Sequence, residues 1–253
     1  MLKADQISYR IGGTTIVAET SLAVEAGEFI AIVGPNGAGK TTLLAMLAGE
    51  LAPTSGVVTL EGQPLADLAL DERARRRGYL PPHPLIELAF SVRDVVAMGR
   101  HPWRGQGPGK GTDEVVDEAM RVVGIEPLAD RVVGSLSTGE AQLTQIARML
   151  AQDTPLLLLD EPTTGMDLGH QQRTLQTLAG PGRDATVIAV IHDLNAAASV
   201  ADRLVILSAG STAAIGGPSE VLEGDLLTDI YGYPITVIDH PFRKGPLVLL
   251  RDP

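Results

Sequence analysis

Cysteine is absent from the 253 residues. Disulfides, thiolate metal sites and thiol catalysis are thereby excluded, and the composition is compatible with a reducing compartment. Aromatic side chains make up only 3%, so aliphatic residues must build the core. Basic residues are in deficit, 20 against 31 acidic ones, for a formal net charge of -11. A field of that sign repels nucleic acid and anionic headgroups, so any phosphate ligand needs a local site. No run approaches the roughly 20 apolar residues that cross a bilayer. The first residues, MLKADQISYRIGG, lack the apolar stretch of a secretory signal. Service to a membrane would pass through a partner.

What is present reads as a globular chain with many turns: 44% hydrophobic residues, 28 glycines and 17 prolines. Apolar runs at Phe29–Val33, Leu156–Leu159, Val187–Ile191 and Leu204–Leu207 predict strands of a parallel sheet buried on both faces. Helical patterns between them point to an α/β fold. The helix after Gly39 places Leu43, Leu44, Met46 and Leu47 on its packing side. From about Ser91 to Leu150 the pattern is helical only, an inserted lobe. Ser91 with Asp94, and Ser137 with Glu140, read as capping boxes. Thr112 reads as the cap of a helix carrying Val115, Val116, Ala119, Met120 and Val123, with Gly124 as its stop. After about Asp202 come two short strands, helical turns and a Pro- and Gly-containing tail. The basic run Arg73, Arg75, Arg76, Arg77 reads as a solvated helix face leading into a strand, not a nucleic-acid patch.

The strongest chemical signal is FIAIVGPNGAGKTTLLAML. Gly34, Gly39, Lys40 and Thr41 fit G-x-x-x-x-G-K-[ST] between a strand and a helix. From Gly34 through Pro35, Asn36, Gly37 and Ala38 to Gly39, such a loop wraps a β-phosphate with inward N–H groups. The helix start, with Thr41 and Thr42, adds its partial positive charge. Lys40 reaches the β- and γ-phosphates, and the Thr41 hydroxyl ligates Mg²⁺. Leu156 to Leu159, then Asp160 and Glu161, form a second element: an apolar strand ending in two carboxylates, 120 residues beyond Lys40. Asp160 would support Mg²⁺, and Glu161 would polarise the attacking water.

With these motifs in hand the chain resembles the ABC ATPases over nearly its whole length. The string LSTGE, Leu136, Ser137, Thr138, Gly139 and Glu140, is similar to the family's signature, with Thr138 in place of the middle glycine. In the family this segment meets the γ-phosphate bound to the opposite subunit. The resemblance therefore implies a homodimer of cassettes with two composite ATP sites. Asp167 in TTGMD resembles the D-loop. His192, 32 residues after Asp160, resembles the switch histidine that contacts the γ-phosphate, and Tyr9, 25 residues before Gly34, resembles the aromatic stacked on adenine. One departure stands out. The row reads YLPPHP, so Pro82 occupies the place where the family carries a glutamine, with His83 beside it as a partial substitute. Proline brings no amide and stiffens the hinge.

The resemblance implies a P-loop NTPase (RecA-like) core with antiparallel edge strands and an inserted helical subdomain. Residues 1–82 and 151–208 would form the nucleotide-binding core, 83–150 the helical subdomain with the signature, and 209–253 a C-terminal extension. It also implies ATP and Mg²⁺ as ligands, and catalysis by Glu161, His192 and Lys40. The strings SVRDVVAMGRHPWRG and IDHPFRKGPLVLLR look like the ATP-binding subunits of bacterial importers for haemin, ferric siderophores and cobalamin, most of all the haemin branch. Such a subunit sits peripherally at the cytoplasmic face of the cell membrane, on integral permease subunits and, through them, a substrate-binding protein. Residues 91–103 would help form the groove for the permease. Two other readings stay open on the residues alone: a soluble ABC ATPase acting on nucleic acid, and a weakly hydrolysing regulatory cassette.

Overall fold

A computed structural model describes residues 1–82, 89–105, 112–180 and 185–252. The early chain carries β1 (Leu2–Ile11), β2 (Thr14–Val24), β3 (Phe29–Val33), α1 (Lys40–Ala48), β4 (Ser55–Leu60) and β5 (Gln63–Pro64). The middle carries α2 (Leu70–Arg76), β6 (Arg77–Leu80), α3 (Val92–Ala97), α4 (Thr112–Val123), α5 (Thr138–Ala151), β7 (Leu156–Asp160) and α6 (Leu168–Ala179). Last come β8 (Thr186–Val190), α7 (Leu194–Val200), β9 (Arg203–Ser208), β10 (Ser211–Gly216), α8 (Pro218–Val221), α9 (Gly224–Tyr231), β11 (Ile235–Asp239) and β12 (Pro246–Leu250). Two compact units result: residues 1–67 with 186–253, and residues 68–185.

In the first unit β3 runs parallel to both β8 and β9, and β10 closes that edge antiparallel to β9. All five residues of β3 and of β8 are buried. That explains why they are unbroken apolar runs rather than alternating ones. A separate antiparallel sheet has the order β2-β1-β4-β5. It follows the opposite rule: β1 and β2 mix buried and exposed positions, as a sheet with one wet face does. The tail holds a regular structure that its composition did not announce, the hairpin β11–β12, with Ile235 opposite Leu250.

In the second unit β6 and β7 pair in parallel, Arg77 opposite Leu156. Beside them α3, α4 and α5 share a core of Val92, Val95, Val96, Val116, Met120 and Ala147. Each large aliphatic side chain buried there contributes about 1.5–3 kcal/mol. The caps follow the sequence closely. Ser91 accepts the Asp94 amide, and its hydroxyl donates to the Asp94 carboxylate at 2.6 Å. Ser137 and Glu140 form the full reciprocal box. Gly124 ends α4 in the left-handed region at φ 74°. Thr112 is the first helical residue of α4 rather than a residue standing before it. One expectation needs correcting. Arg77 is not on a solvated helix face: it is the first residue of β6, only 7% exposed, with its guanidinium 5.9 Å from the centre of the Tyr79 ring. The strand begins at the last residue of the basic run. His83 lies outside the described residues.

Candidate functional site

The phosphate loop is held in shape by backbone that only glycine tolerates. Gly34 has φ 145°, and a Cβ there would lie 2.2 Å from the Leu207 carbonyl oxygen of β9. Gly39 has φ 94°, and its Cβ would meet the Ile16 carbonyl oxygen at 2.8 Å. The loop therefore threads between β2 and β9 with no room for a side chain. Lys40 is buried and donates to the carbonyls of Gly34 at 2.8 Å and Pro35 at 2.9 Å. Its ammonium thus ties the start of the loop to the start of α1. Gly39 offers no side-chain cap to α1, so the first amides of that helix remain available to an anion. The Thr41 hydroxyl belongs to an exposed residue, while Thr42 is half-buried. Asn36 and Gly37 are exposed, and Ala38 is buried. Tyr9, half-buried on β1, sits opposite Val17 of β2 in the same unit.

His192 follows β8 and is exposed. Asp193 beside it caps α7 by accepting the Ala196 amide at 2.8 Å. One contact near the loop had no signal in the sequence. The Tyr231 hydroxyl of α9 is buried and acted on by the Gly34 backbone; burial raises its pKa, and that backbone group opposes the rise. Nearly 200 residues separate the two, so no local pattern connects them.

The second unit places the carboxylates and the signature. Asp160 ends β7 and is wholly buried. Glu161, next along, is half-buried and adopts φ 50°. A left-handed conformation costs a non-glycine residue about 1–3 kcal/mol, and such strain concentrates where a side chain must be aimed. The turn lets neighbouring carboxylates escape the strand's alternation. The Thr164 hydroxyl donates to the Glu161 carboxylate at 3.2 Å.

Ser137, Thr138, Gly139 and Glu140 line a cavity of about 490 Å³ with Gly165, Met166, Asp167 and His170. The signature and the TTGMD segment, about 30 residues apart in sequence, thus line one cavity; Leu136, half-buried, precedes it in the chain and is not part of the lining. The backbone amide of Ser137 and its hydroxyl both donate to Glu140 at 2.8 Å. These bonds, with Arg131 at 3.5 Å, hold the Glu140 carboxyl below its ordinary pKa. Asp167 accepts the His170 amide at 2.9 Å and faces its ring at 2.7 Å, so its carboxyl is also held low. Gly165, which sequence reasoning passed over, explains how Thr138 is accommodated. It has φ 78°, and a Cβ there would lie 2.7 Å from the Thr138 methyl. The threonine in the family's glycine position is seated against another glycine.

The first unit holds a glycine-bound loop with a buried lysine, and the second a buried carboxylate beside a strained glutamate. The family model described as ABC transporter matches residues 17–164. The chain belongs to the ABC transporter family, and within it to the cassettes that bind ATP and hydrolyse it to drive transport. The relative named "Hemin import ATP-binding protein HmuV" of Nocardia farcinica is 48% identical over 235 residues, 92% of this chain and 82% of that protein. The protein of the same name in Rhodococcus jostii is 42% identical over 99% of this chain and 86% of its own length. Among solved structures, an inward-facing ABC transporter of metal-chelate type superposes with TM-score 0.83 at 25% identity, over 99% of this chain and 97% of that one. A dimeric, post-hydrolysis ATP-binding cassette bound to ADP and Pi gives TM-score 0.75 at 27% identity, over 86% and 98%. The α/β P-loop fold expected from the sequence is the fold observed.

Proposed function

We propose that this chain is the ATP-hydrolysing subunit of a haemin importer. The observation that carries the reading is the match, across nearly the whole chain, to relatives named for hemin import. Two copies would pair head to tail, with ATP between the phosphate loop of one and Ser137–Gly139 of the other. Leu168, 81% exposed at the head of α6 beside Asp167, supports a partner surface there. No helix among the described residues is long and apolar enough to cross a membrane. The subunit accordingly works peripherally at the cytoplasmic face, beneath integral permease subunits that receive haemin from a substrate-binding protein. Residues 1–82 and 151–208 serve as the nucleotide-binding core and 83–150 as the helical subdomain.

In this reading Tyr9 stacks on adenine, and the amides from Gly34 to Thr42 with Lys40 hold the phosphates. Glu161 orients water, and His192 senses the γ-phosphate. The donor set suits Mg²⁺: the Thr41 hydroxyl and the Asp160 carboxylate are hard oxygen ligands, and a carboxylate buried as fully as Asp160 needs positive charge nearby. Among the described residues no group of three His, Asp or Glu could hold a metal ion alone. When bound, Mg²⁺ neutralises charge developing on the transferring phosphoryl.

Growth on haemin tests the transported compound. A deletion strain should fail on haemin as sole iron source, and recover with wild type but not with Glu161→Gln. Failure on a ferric siderophore alone would move the chain to the sister branch. A weakly hydrolysing regulatory cassette is the second reading, favoured by Pro82 in the place of glutamine. Phosphate release from the purified protein decides it, and Pro82→Gln is expected to raise that rate.

A further inference from the structure

The tail hairpin β11–β12 is seated on α7 by side chains from both partners. The Asn195 amide donates to the Val248 carbonyl at 3.0 Å and accepts the Val248 N–H at 2.7 Å. The N–H and C=O of one strand residue point the same way, so those of Val248 lie on the outer edge of β12, away from β11. Asn195 meets them there as the peptide of a third strand would. Arg243, in the turn between the two strands, donates to the carbonyls of Ala198 and Asn195, each at 3.2 Å. Ala198 lies near the end of α7, where carbonyls lack helical partners and a cation is favoured. A two-stranded hairpin is marginal in water by itself, and these bonds fasten it to the first unit.

The dependence runs the other way as well. α7 has seven residues, LNAAASV, and among them only Ala197 and Ala198 are buried. Alanine buries little apolar area, so the helix has little packing of its own to fix its position. Where it begins matters because of what precedes it. The Ile191 N–H donates to the Ile32 carbonyl at 3.1 Å, anchoring the chain just past β8 to β3. Asp193 caps α7 through the Ala196 amide. His192 is the single residue between those two anchors. A residue has only two soft backbone dihedrals, so the imidazole is aimed by where α7 starts. The same tail also reaches the phosphate loop. The Tyr231 hydroxyl of α9 is buried at the Gly34 backbone. Thr228, on that helix, accepts the Ile235 N–H of β11 at 2.9 Å and donates to the Gly224 carbonyl at 2.7 Å. α9 and the hairpin are thereby joined, one at the phosphate loop and the other at the helix that follows His192.

We propose that the tail hairpin is a positioning device for His192, acting through Asn195 and Arg243. The role rests on the reading of His192 as the group that senses the γ-phosphate. The hairpin holds α7, α7 fixes Asp193, and Asp193 fixes the direction of the histidine before it. Asn195 and Arg243 are positioning residues: they touch neither nucleotide nor water, and act on the reaction only through the ring they aim.

Two readouts test this on the purified full-length chain. The first is the His192 ring, followed by NMR and assigned from the signal that His192→Ala removes. Asn195→Leu keeps the bulk of the side chain and removes both bonds to Val248. It should move the His192 ring signals and their titration midpoint, while the rings of His101 and His170, in the second unit, stay where they are. Unmoved His192 signals overturn the proposal. Should Asn195→Leu fail to fold, Arg243→Met, which removes the bonds to the α7 carbonyls and keeps the stem, decides in its place. The second readout is turnover. Asn195→Leu should lower kcat about tenfold with KM for ATP within about twofold, the pattern of a group misplaced in the transition state rather than lost from binding. In a His192→Ala background the same substitution should cost less than about twofold, because the residue it positions is gone. An equal loss in both backgrounds overturns the positioning role. If His192→Ala itself turns over ATP at the wild-type rate, the γ-phosphate reading of His192 is what fails, and the ring signals alone decide whether the hairpin aims it.

Discussion

The phosphate loop and the signature corner are held in shape by opposite means. At Gly34 and Gly39 the main chain does the work, pressed so tightly against Leu207 and Ile16 that no side chain fits, with Lys40 bridging the loop carbonyls. At Ser137–Glu140 side chains do the work, through a reciprocal cap reinforced by Arg131. The first arrangement is rigid but intolerant; the second is adjustable, which is why Thr138 can stand where the family places glycine. Backbone geometry cannot be tuned by small substitutions, whereas a cap and its neighbours can.

The largest effect should come from the groups aimed at the reaction. Glu161→Gln is expected to lower ATP turnover by about 10²–10⁴-fold while nucleotide binding persists, as loss of a group that activates water does. Lys40→Ala should lower kcat/KM by about 10²–10³-fold, with weaker nucleotide binding as well. Measuring turnover and fluorescent-nucleotide affinity side by side sharpens the contrast. If Glu161→Gln lost affinity as Lys40→Ala does, the separation into binding and water-activating groups would fail.

Next in size is the intolerance of the loop. Gly34→Ala must displace the β9 backbone at Leu207, and should cost about 2–4 kcal/mol in urea unfolding. Gly165→Ala in the second unit meets only the Thr138 methyl and its own positive φ, and should cost about 1–2 kcal/mol. Combining Gly165→Ala with Thr138→Gly should recover part of that loss, because the clash is with a side chain. A similar rescue is not available to Gly34, and equal costs at the two glycines would break the comparison.

The smallest effect is electrostatic. The Ser137 amide and hydroxyl, with Arg131, hold the Glu140 carboxyl below its ordinary range. A depressed folded-state pKa stabilises fully above the unfolded value, about 4.3, and that stabilisation is lost as pH falls through the lower folded value. The stability gap between wild type and Glu140→Gln should therefore be widest near neutrality and close below about pH 4. The Glu140 side chain is 32% exposed, so solvent screening keeps the gap small. A gap that grew on acidification would show that the carboxylate is not what stabilises the cap.

Much of this was legible along the chain. Phe29–Val33 and Leu156–Leu159 are buried strands because unbroken aliphatic runs fit a sheet covered on both faces, and Ser137 with Glu140 is a cap because the two lie one helical turn apart. Other features were not legible. The β11–β12 hairpin has too weak an alternation to announce itself, and Arg77 sits in a basic run whose last member turns into a strand and goes inside.

By itself the sequence determined the class of chemistry. Phosphate loop, strand carboxylates and signature are each contiguous, and contiguous residues bring their geometry with them through local backbone preferences. Only the tertiary structure decided that Gly165 makes room for Thr138, that Tyr231 reaches the Gly34 backbone, and that the Gln152 amide meets the Arg77 carbonyl. Those contacts join residues far apart in the chain or on different elements, and no periodicity or propensity encodes which distant surfaces packing will press together.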